Sequence, residues 1–184
     1  MNIIKIGLVS ALLINSQFNS NAQNKIEFSE VVEVEGANKD ALYSKGLIWF
    51  AETFNDSRAV IEAKDREAGM IIGNGFFEYT APAGLKYKDV HGHIEFTVKV
   101  MFKDGRTKID LTSFTHKPNY SGYSLGTITD SDNYSGKRVH SMLSDKWHQD
   151  LWQHLRKDID GKAKVLIENF RKFIVDNSTE TDEW

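Results

Sequence analysis

Residues 91–116 read HGHIEFTVKVMFKDGRTKIDLTSFTH, and this stretch decides the fold. Two alternating runs, His91 to Phe102 and Arg106 to His116, flank the pair Asp104-Gly105. An Asp-Gly pair between alternating runs is typical of a two-residue β-hairpin. It favours a type I′ turn, in which both central residues have positive φ. The sequence therefore predicts an antiparallel hairpin at this point of the chain.

The register that follows from this turn gives the hairpin one apolar face and one polar face. Lys103 pairs with Arg106, and the numbers of paired residues sum to 209 from there outward. The apolar face holds Val100 opposite Ile109, Val98 opposite Leu111 and Phe96 opposite Ser113, and the polar face holds Lys99 opposite Asp110 and Thr97 opposite Thr112. A slip by one residue would move the charged side chains into the core, so the pattern specifies the register.

Further strands and helices are predicted on both sides of the hairpin. Hydrophobic periodicity indicates a strand over Glu27–Glu35, a helix capped by Asn38 and running to Phe54, strands over Arg58–Asp65 and Met70–Thr80, and a final helical region that begins at Ser144 or Asp145. Gly161 lies inside that last region, where it would either kink the helix or split it in two.

The order of these elements predicts an α+β fold with the sequence β-α-β-β-β-β-α. Two helices can cover only one face of such a sheet. The expected architecture therefore has two layers, an antiparallel sheet with the helices on one face and the other face partly open.

The first 22 residues are predicted to form a secretory signal peptide. Lys5 gives a positive start, Ile6–Ile14 is an apolar run of nine residues, and small residues precede a cleavage site after Ala22. Such a run is too short to cross a bilayer, which takes about 20 residues. A buried N-terminal strand is the alternative interpretation. The mature chain would be one domain over residues 23–178, followed by a disordered tail over residues 179–184.

Composition narrows the classes of function. Cysteine is absent, which excludes disulfides, thiolate chemistry and lipid attachment at the cleavage site, so we do not expect a lipoprotein. The formal net charge is −3, and it becomes −4 once Lys5 is lost with the signal, so binding to nucleic acid is disfavoured. No second apolar run approaches membrane length, and we expect the protein in the periplasm or outside the cell, with no transmembrane segment after cleavage.

Motifs spread over residues 28–116 are similar to those of a known family. They are Val32-x-Val34-x-Gly36, Lys39, Leu42-Tyr43, Trp49 and Phe54, then Asp65, Gly69, Ile71-x-Gly73-x-Gly75 and Lys103-Asp104-Gly105-Arg106. In order and spacing they resemble a bacterial family of exported proteins, the domain of unknown function 4468, described as having a TBP-like fold. The resemblance implies a curved antiparallel sheet with helices on one side. It implies no catalytic residues, and a fold shared with TATA-binding proteins does not imply their function.

The hairpin register predicts a candidate metal site. His93 lies opposite His116, His91 is two residues away on the same strand face, and Glu95 follows on that face. Three imidazoles so close together could hold a divalent ion such as zinc or copper, with Glu95 or water completing the site. The alternative is a solvated strand face on which histidine is tolerated, with no cofactor.

A long loop over residues 117–144 provides a second candidate site. It is rich in Ser, Gly and Asn and carries Tyr120, Tyr123 and Tyr134. Such a composition is typical of adaptable binding surfaces, where tyrosine supplies contact area at low entropic cost. The alternative is a flexible loop whose tyrosines are incidental.

Other residues carry weaker signals. The glycines of Gly73-Asn74-Gly75 are expected to admit a helix or an aromatic ring, such as that of Trp49, close to the strand. His140, His148 and His154 are expected to be solvated surface residues, since they share no helix face. Asp130 and Asp132 lack the spacing of a calcium loop.

These observations favour a non-catalytic binding or cell-envelope interaction module. Its partner would be a peptide, a glycan or another envelope protein. The alternatives are a metal-binding protein or metal-dependent enzyme that uses the histidine cluster, and a structural subunit that oligomerises through an exposed strand edge.

Overall fold

A computed structural model of the chain describes residues 25–54, 59–82, 90–119, 122–139 and 143–176. The predicted order of elements is confirmed, with one short strand added. The elements are β1 (Phe28–Glu33), α1 (Lys39–Thr53), β2 (Ala59–Asp65), β3 (Met70–Tyr79), β4 (Gly92–Lys103), β5 (Arg106–Pro118), β6 (Gly126–Thr127) and α2 (Asp145–Asp176). The predicted signal peptide and the predicted disordered tail, residues 1–22 and 179–184, lie outside the described residues.

The strands form one antiparallel sheet in the order β1-β5-β4-β3-β2. The additional strand β6 pairs with the far end of β5, beyond the segment that pairs with β1. Alternate residues of β3, β4 and β5 are buried beneath the helices, as expected for a sheet that is covered on one face. The α+β, two-layer prediction is therefore confirmed.

The hairpin register is confirmed from the turn as far as the pair Thr97–Thr112. The turn itself differs from the prediction. Gly105 has a φ of 75°, but Ser113 is the only non-glycine residue with positive φ in the described part of the chain, so Asp104 does not adopt the type I′ conformation. The reason is tertiary contact, because Asp104 Oδ1 accepts a hydrogen bond from Lys39 N (2.7 Å) and Gly105 N donates to Ala37 O (2.8 Å). The turn is docked on the start of α1.

Beyond Thr97 a β-bulge changes the register. Ser113, with a φ of 61°, is the extra residue, and from there Ile94 pairs with His116 and His93 with Lys117. The predicted pairs of Phe96 with Ser113 and of His93 with His116 are therefore wrong. The bulge turns Phe114 toward the helices, where its ring stacks on that of Phe96 at a centroid distance of 5.5 Å.

The two helices form the second layer and meet through aromatic contacts. Asn38 caps α1 as predicted, since its Oδ1 accepts a hydrogen bond from Ala41 N (2.8 Å). Trp49 of α1 is fully buried and packs edge-on against Phe170 of α2, with 4.9 Å between ring centroids. Its indole nitrogen also donates to Asn169 Oδ1 (2.8 Å), which fixes the two helices to each other.

The final helix α2 is continuous over 32 residues and passes through Gly161 without a break. Ion pairs between residues four apart flank that glycine, such as Lys162 Nζ to Asp158 Oδ2 (2.7 Å) and Lys164 Nζ to Asp160 Oδ2 (2.8 Å). No helix among the described residues has the length and apolar character needed to cross a membrane.

Close approach of aromatic rings explains the glycine in the middle of β3. A Cβ at Gly75 would lie 3.0 Å from the ring of Phe96 and 3.1 Å from that of Phe54. The expected ring contact is present, but Trp49 does not provide it.

Candidate functional site

His116 is a buried structural residue on the helix side of the sheet. It is 0% exposed, and its Nδ1 accepts a hydrogen bond from Leu125 N (3.0 Å). The other ring nitrogen, Nε2, therefore carries the proton and donates to Val90 O (3.0 Å). Burial lowers the pKa of His116, which favours this neutral form. Both nitrogens are thus used to hold the β6 segment and the start of β4.

The other members of the predicted metal site stay on the open face. His93 Nε2 lies 3.5 Å from Glu95 Oε1, and Lys117 Nζ lies 3.5 Å from Glu95 Oε2. His91 precedes β4, where its carbonyl accepts a hydrogen bond from Asn119 N (2.8 Å). Because of the bulge at Ser113, His116 does not join these residues. The described residues contain no group of three His, Cys, Asp or Glu side chains that could hold a metal ion.

Two of the three tyrosines of the long loop, Tyr123 and Tyr134, lie among the described residues. Tyr120 lies outside the described residues, and Tyr123 is exposed. Tyr134 instead packs on α2, with its ring 5.5 Å from that of Trp152 and 5.8 Å from that of His148. Its hydroxyl donates to Lys137 O (2.7 Å), and burial raises its pKa.

Side chains of α2 hold the loop segment 129–139 by its backbone. Trp152 Nε1 donates to Ser131 O (2.9 Å), and Arg156 donates to Asp130 O (2.9 Å) and Asp132 Oδ1 (2.7 Å). His148, expected at the surface, is 2% exposed, and its Nε2 accepts a hydrogen bond from Val139 N (3.0 Å). His140 lies outside the described residues. Several hydrogen bonds thus attach segment 129–139 to α2, and the binding role of the loop tyrosines stays a prediction.

A different feature of the sheet offers hydrogen-bonding groups to a partner. Strand β2 pairs with β3 only as far as Gly75, opposite Ala59. Among the described residues, segment 76–79 of β3 is therefore paired on one side only, with β4. We call this segment the β3 edge.

The direction of the backbone groups along the β3 edge follows from the ladder. Phe102 N donates to Gly69 O (2.8 Å), so pairs of β3 and β4 that include an odd-numbered β3 residue are the hydrogen-bonded ones. The N–H and C=O groups of Phe76 and Glu78 consequently point away from β4, toward the side on which no described strand pairs with them. The Glu78 carbonyl confirms this direction, since it accepts a hydrogen bond from Lys162 Nζ of α2.

A groove of about 480 Å³ lies between the β3 edge and α2. Its lining is mainly apolar and comprises Phe76, Phe77, Glu78, Gly161, Lys162, Val165, Leu166 and Asn169. Val165 is 71% exposed on a helix whose other outward residues are mostly charged. Gly161 adds no side chain and leaves open space beside it. We call this depression the edge groove.

The edge groove continues into a polar depression of about 340 Å³, with Gly161 and Lys162 shared between the two. Its other lining residues are His154, Lys157 and Asp158. The buried Tyr79 contacts one of these lining residues, since its hydroxyl lies 3.3 Å from His154 Nδ1. Burial, together with the nearby Asp158, raises the pKa of Tyr79, so the phenol stays protonated.

Comparison with known proteins places most of the sheet in a family. Residues 28–117, from β1 almost to the end of β5, match the family model described as a domain of unknown function (DUF4468) with TBP-like fold. This segment is a DUF4468 domain. None of the curated proteins matches the chain.

Two solved structures of similar fold extend the likeness beyond the DUF4468 segment. A DUF4468 family protein from Bacteroides ovatus aligns with a TM-score of 0.55 and 14% identity, over 87% of this chain and 90% of that one. A TBP-like protein from Parabacteroides distasonis aligns with a TM-score of 0.50 and 14% identity, over 80% of this chain and 93% of that one. At such identity the likeness shows the fold alone.

Only one of the two walls of the edge groove is formed by residues of the DUF4468 segment. The β3 edge belongs to the matched residues, whereas α2 begins after them. The groove was not predicted from the sequence, although two features of the sequence indicate exposed apolar side chains there. Phe76-Phe77 places aromatic side chains on both faces of one strand, and Val165 interrupts a charged helix face.

Proposed function

We propose that the protein is an exported, non-catalytic binding module that takes up an extended polypeptide segment as an added strand at the β3 edge. The observation that supports this most strongly is that, among the described residues, segment 76–79 pairs with a strand on one side only, next to the apolar edge groove. Strand addition is a common mode of peptide recognition, in which main-chain hydrogen bonds give affinity and pockets for alternate side chains give specificity.

The backbone groups define how such a segment would be held. The N–H groups of Phe76 and Glu78 and the carbonyl of Phe76 point away from β4, to the side where no described strand lies. Each main-chain hydrogen bond contributes about 1 kcal/mol net. A segment of four residues in antiparallel or parallel pairing would use these groups, and it would replace or share the bond from Lys162 Nζ to the Glu78 carbonyl.

The edge groove defines which side chains the segment would carry. Residues of the added strand that point to the helix side would contact Phe77, Val165 and Leu166, so apolar side chains are favoured there. Toward the polar depression, where Lys162 is paired with Asp158, Lys157 favours an acidic side chain or a terminal carboxylate. The proposed partner is thus a peptide, or an extended segment of an envelope protein, with an apolar residue and an acidic residue close together.

Selection of heptapeptides from a random library on the immobilised protein tests this proposal. We expect the selected peptides to bind the Val165→Glu variant at least about tenfold more weakly, because the charge enters an apolar contact. The matched control is Ile48→Glu, which changes an exposed apolar residue of α1 outside the groove and should leave affinity unchanged. If the selected peptides bound both variants with equal affinity, they would bind elsewhere, and the proposal of a peptide site in the edge groove would be wrong.

Backbone methylation separates strand addition from simple side-chain docking. A selected peptide is N-methylated at alternate residues, in two complementary versions. Strand addition predicts that one version loses binding while the other retains it, since only every second N–H faces the β3 edge. If both versions bind like the parent peptide, main-chain pairing plays no part.

Export is a separate element of the proposal and rests on the signal-like residues 1–22. Cleavage after Ala22 would give a mature protein that begins at Gln23. Expression in a bacterial host with N-terminal sequencing of the periplasmic fraction checks this. Recovery of the intact chain from the cytoplasm would contradict it.

A further inference from the structure

A second depression lies on the open face of the sheet, at the turn end of the β4–β5 hairpin. It has a volume of about 200 Å³ and is lined by Val31, Met101, Lys103, Arg106, Thr107 and Lys108. We call it the hairpin pocket. In the sheet register Val31, Lys108 and Met101 form one row across three strands, and Lys103 and Arg106 form the next row toward the turn.

The floor of the hairpin pocket is apolar, although it lies on the face without helices. Val31 is 51% exposed at the centre of β1, and Met101 lies two strands away in the same row. Thr107 also lines the pocket and is itself buried. An exposed valine and a methionine beside three cationic side chains provide an apolar contact and a charged one within a single small cavity.

The three cationic side chains of the hairpin pocket differ in whether an acidic side chain of the protein already pairs with them. Lys108 Nζ is held by Asp110 Oδ1 at 2.8 Å, and Asp110 in turn accepts a hydrogen bond from Ser29 Oγ (2.6 Å). Lys103 and Arg106, in contrast, form no ion pair or hydrogen bond through their side chains with any described residue. Two acidic residues adjoin these cations in sequence and register: Asp104, whose carboxylate accepts a hydrogen bond from the Lys39 amide, and Glu33, which pairs with Arg106. Two cationic groups thus remain available at the rim.

We infer that the hairpin pocket binds a small amphiphilic anion, with a carboxylate or phosphate head at Lys103 and Arg106 and a short alkyl chain over Val31 and Met101. The guanidinium of Arg106 presents a planar fork that suits an oxyanion, and Lys103 adds a point charge. Burial of the alkyl chain against Val31 and Met101 supplies the apolar part of the affinity. The volume limits the ligand to a small molecule.

This site is independent of the proposed peptide groove. The edge groove lies between β3 and α2 on the helix side, whereas the hairpin pocket lies on the open face between β1 and β4, and the two share no lining residue. An experiment that disproves peptide binding at the edge groove would therefore not affect the inference about the hairpin pocket, and the reverse also holds.

Titration with sodium octanoate, below its micelle concentration, tests the inference on the protein from Gln23 to Trp184. We expect saturable shifts of the methyl signals of Val31 and Met101 in NMR spectra. The double variant Lys103→Gln/Arg106→Gln should bind at least about tenfold more weakly, because the head loses its charged partners. Octanol, which has the chain without the charge, and acetate, which has the charge without the chain, should each bind at least about tenfold more weakly than octanoate.

The control variant Lys99→Gln removes a charge from the same face outside the pocket, and it should leave octanoate affinity unchanged. Amide spectra of each variant verify that the fold is intact. Three results would each overturn the inference: octanol binding as tightly as octanoate, an equal loss with Lys99→Gln, or saturation without shifts at Val31 and Met101. Octyl phosphate in a parallel titration decides between the two head groups.

Discussion

Replacing Gly46 with alanine is expected to destabilise the protein by about 2 kcal/mol, although alanine is the better helix former. Gly46 lies in the middle of α1, where a glycine ordinarily costs about 1 kcal/mol relative to alanine. Here the Phe102 ring occupies the space. A Cβ at Gly46 would lie 2.7 Å from Phe102 Cε1 and closer still to Cζ, and Phe102 is itself fully buried. Overpacking of a core by one methyl group costs about 1–3 kcal/mol or more, which outweighs the gain in helix propensity.

The same substitution at Gly161 provides the matched control. Gly161 is exposed in α2, and nothing lies within 4 Å of a Cβ placed there. Gly161→Ala should therefore stabilise the protein by about 1 kcal/mol. Urea denaturation of both variants measures the two free energies of unfolding. A stabilising effect of Gly46→Ala would show that α1 does not pack on Phe102 as described.

Replacing Trp152 with alanine should lower the free energy of unfolding by about 3–5 kcal/mol, the usual cost of removing a buried large aromatic side chain. Trp152 is 3% exposed, packs against Tyr134, and donates a hydrogen bond to Ser131 O (2.9 Å). The substitution removes both the packing and the contact that attaches segment 129–139 to α2. We therefore expect faster amide hydrogen exchange throughout that segment in addition to the loss of stability.

A second variant separates the two contributions of this residue. Trp152→Phe retains most of the ring packing and loses the indole N–H, so it should cost about 1–3 kcal/mol, since the Ser131 carbonyl is left unpaired. Thermal unfolding and hydrogen exchange of both variants check the prediction. If Trp152→Ala destabilised the protein by less than the phenylalanine variant, the loop would not be anchored at this residue.

The part of the fold that follows from local pattern could be predicted from the sequence. Asp104-Gly105 between alternating runs determines a hairpin, and its register holds from Lys103 to Thr97. The cap at Asn38 and the apolar stripe of α2 likewise depend on residues near one another in the chain. The resemblance to a known family added the prediction of a TBP-like fold. The match of residues 28–117 to the family model confirms this prediction.

The bulge at Ser113 was missed because it depends on packing across the sheet. The sequence nevertheless indicates the bulge, because the apolar residues of β5 change from odd-numbered to even-numbered positions. Ile109 and Leu111 are apolar at odd positions of β5, whereas the next apolar residue, Phe114, is even. An extra residue between them is required if all three are to face the helices. That extra residue also turns His116 inward, which separated the predicted histidine cluster.

The candidate site could not be predicted because it depends on contacts between distant elements. The edge groove requires that the described pairing of β2 with β3 stop at the pair Ala59–Gly75 and that α2 lie beside β3, and neither follows from periodicity. The contacts of the tyrosine loop could not be predicted either. Its composition predicts an adaptable surface, whereas Trp152 and Arg156 of α2, more than 20 positions further along the chain, donate hydrogen bonds to its backbone.

Hydrogen exchange of the four amides of residues 76–79 tests the central claim most directly. In the free protein the amides of Phe77 and Tyr79, which pair with β4, should exchange slowly, and those of Phe76 and Glu78 should exchange fast. Addition of a selected peptide should slow Phe76 and Glu78 specifically. Uniform protection in the free protein, or no change on adding a bound peptide, would contradict strand addition at this edge.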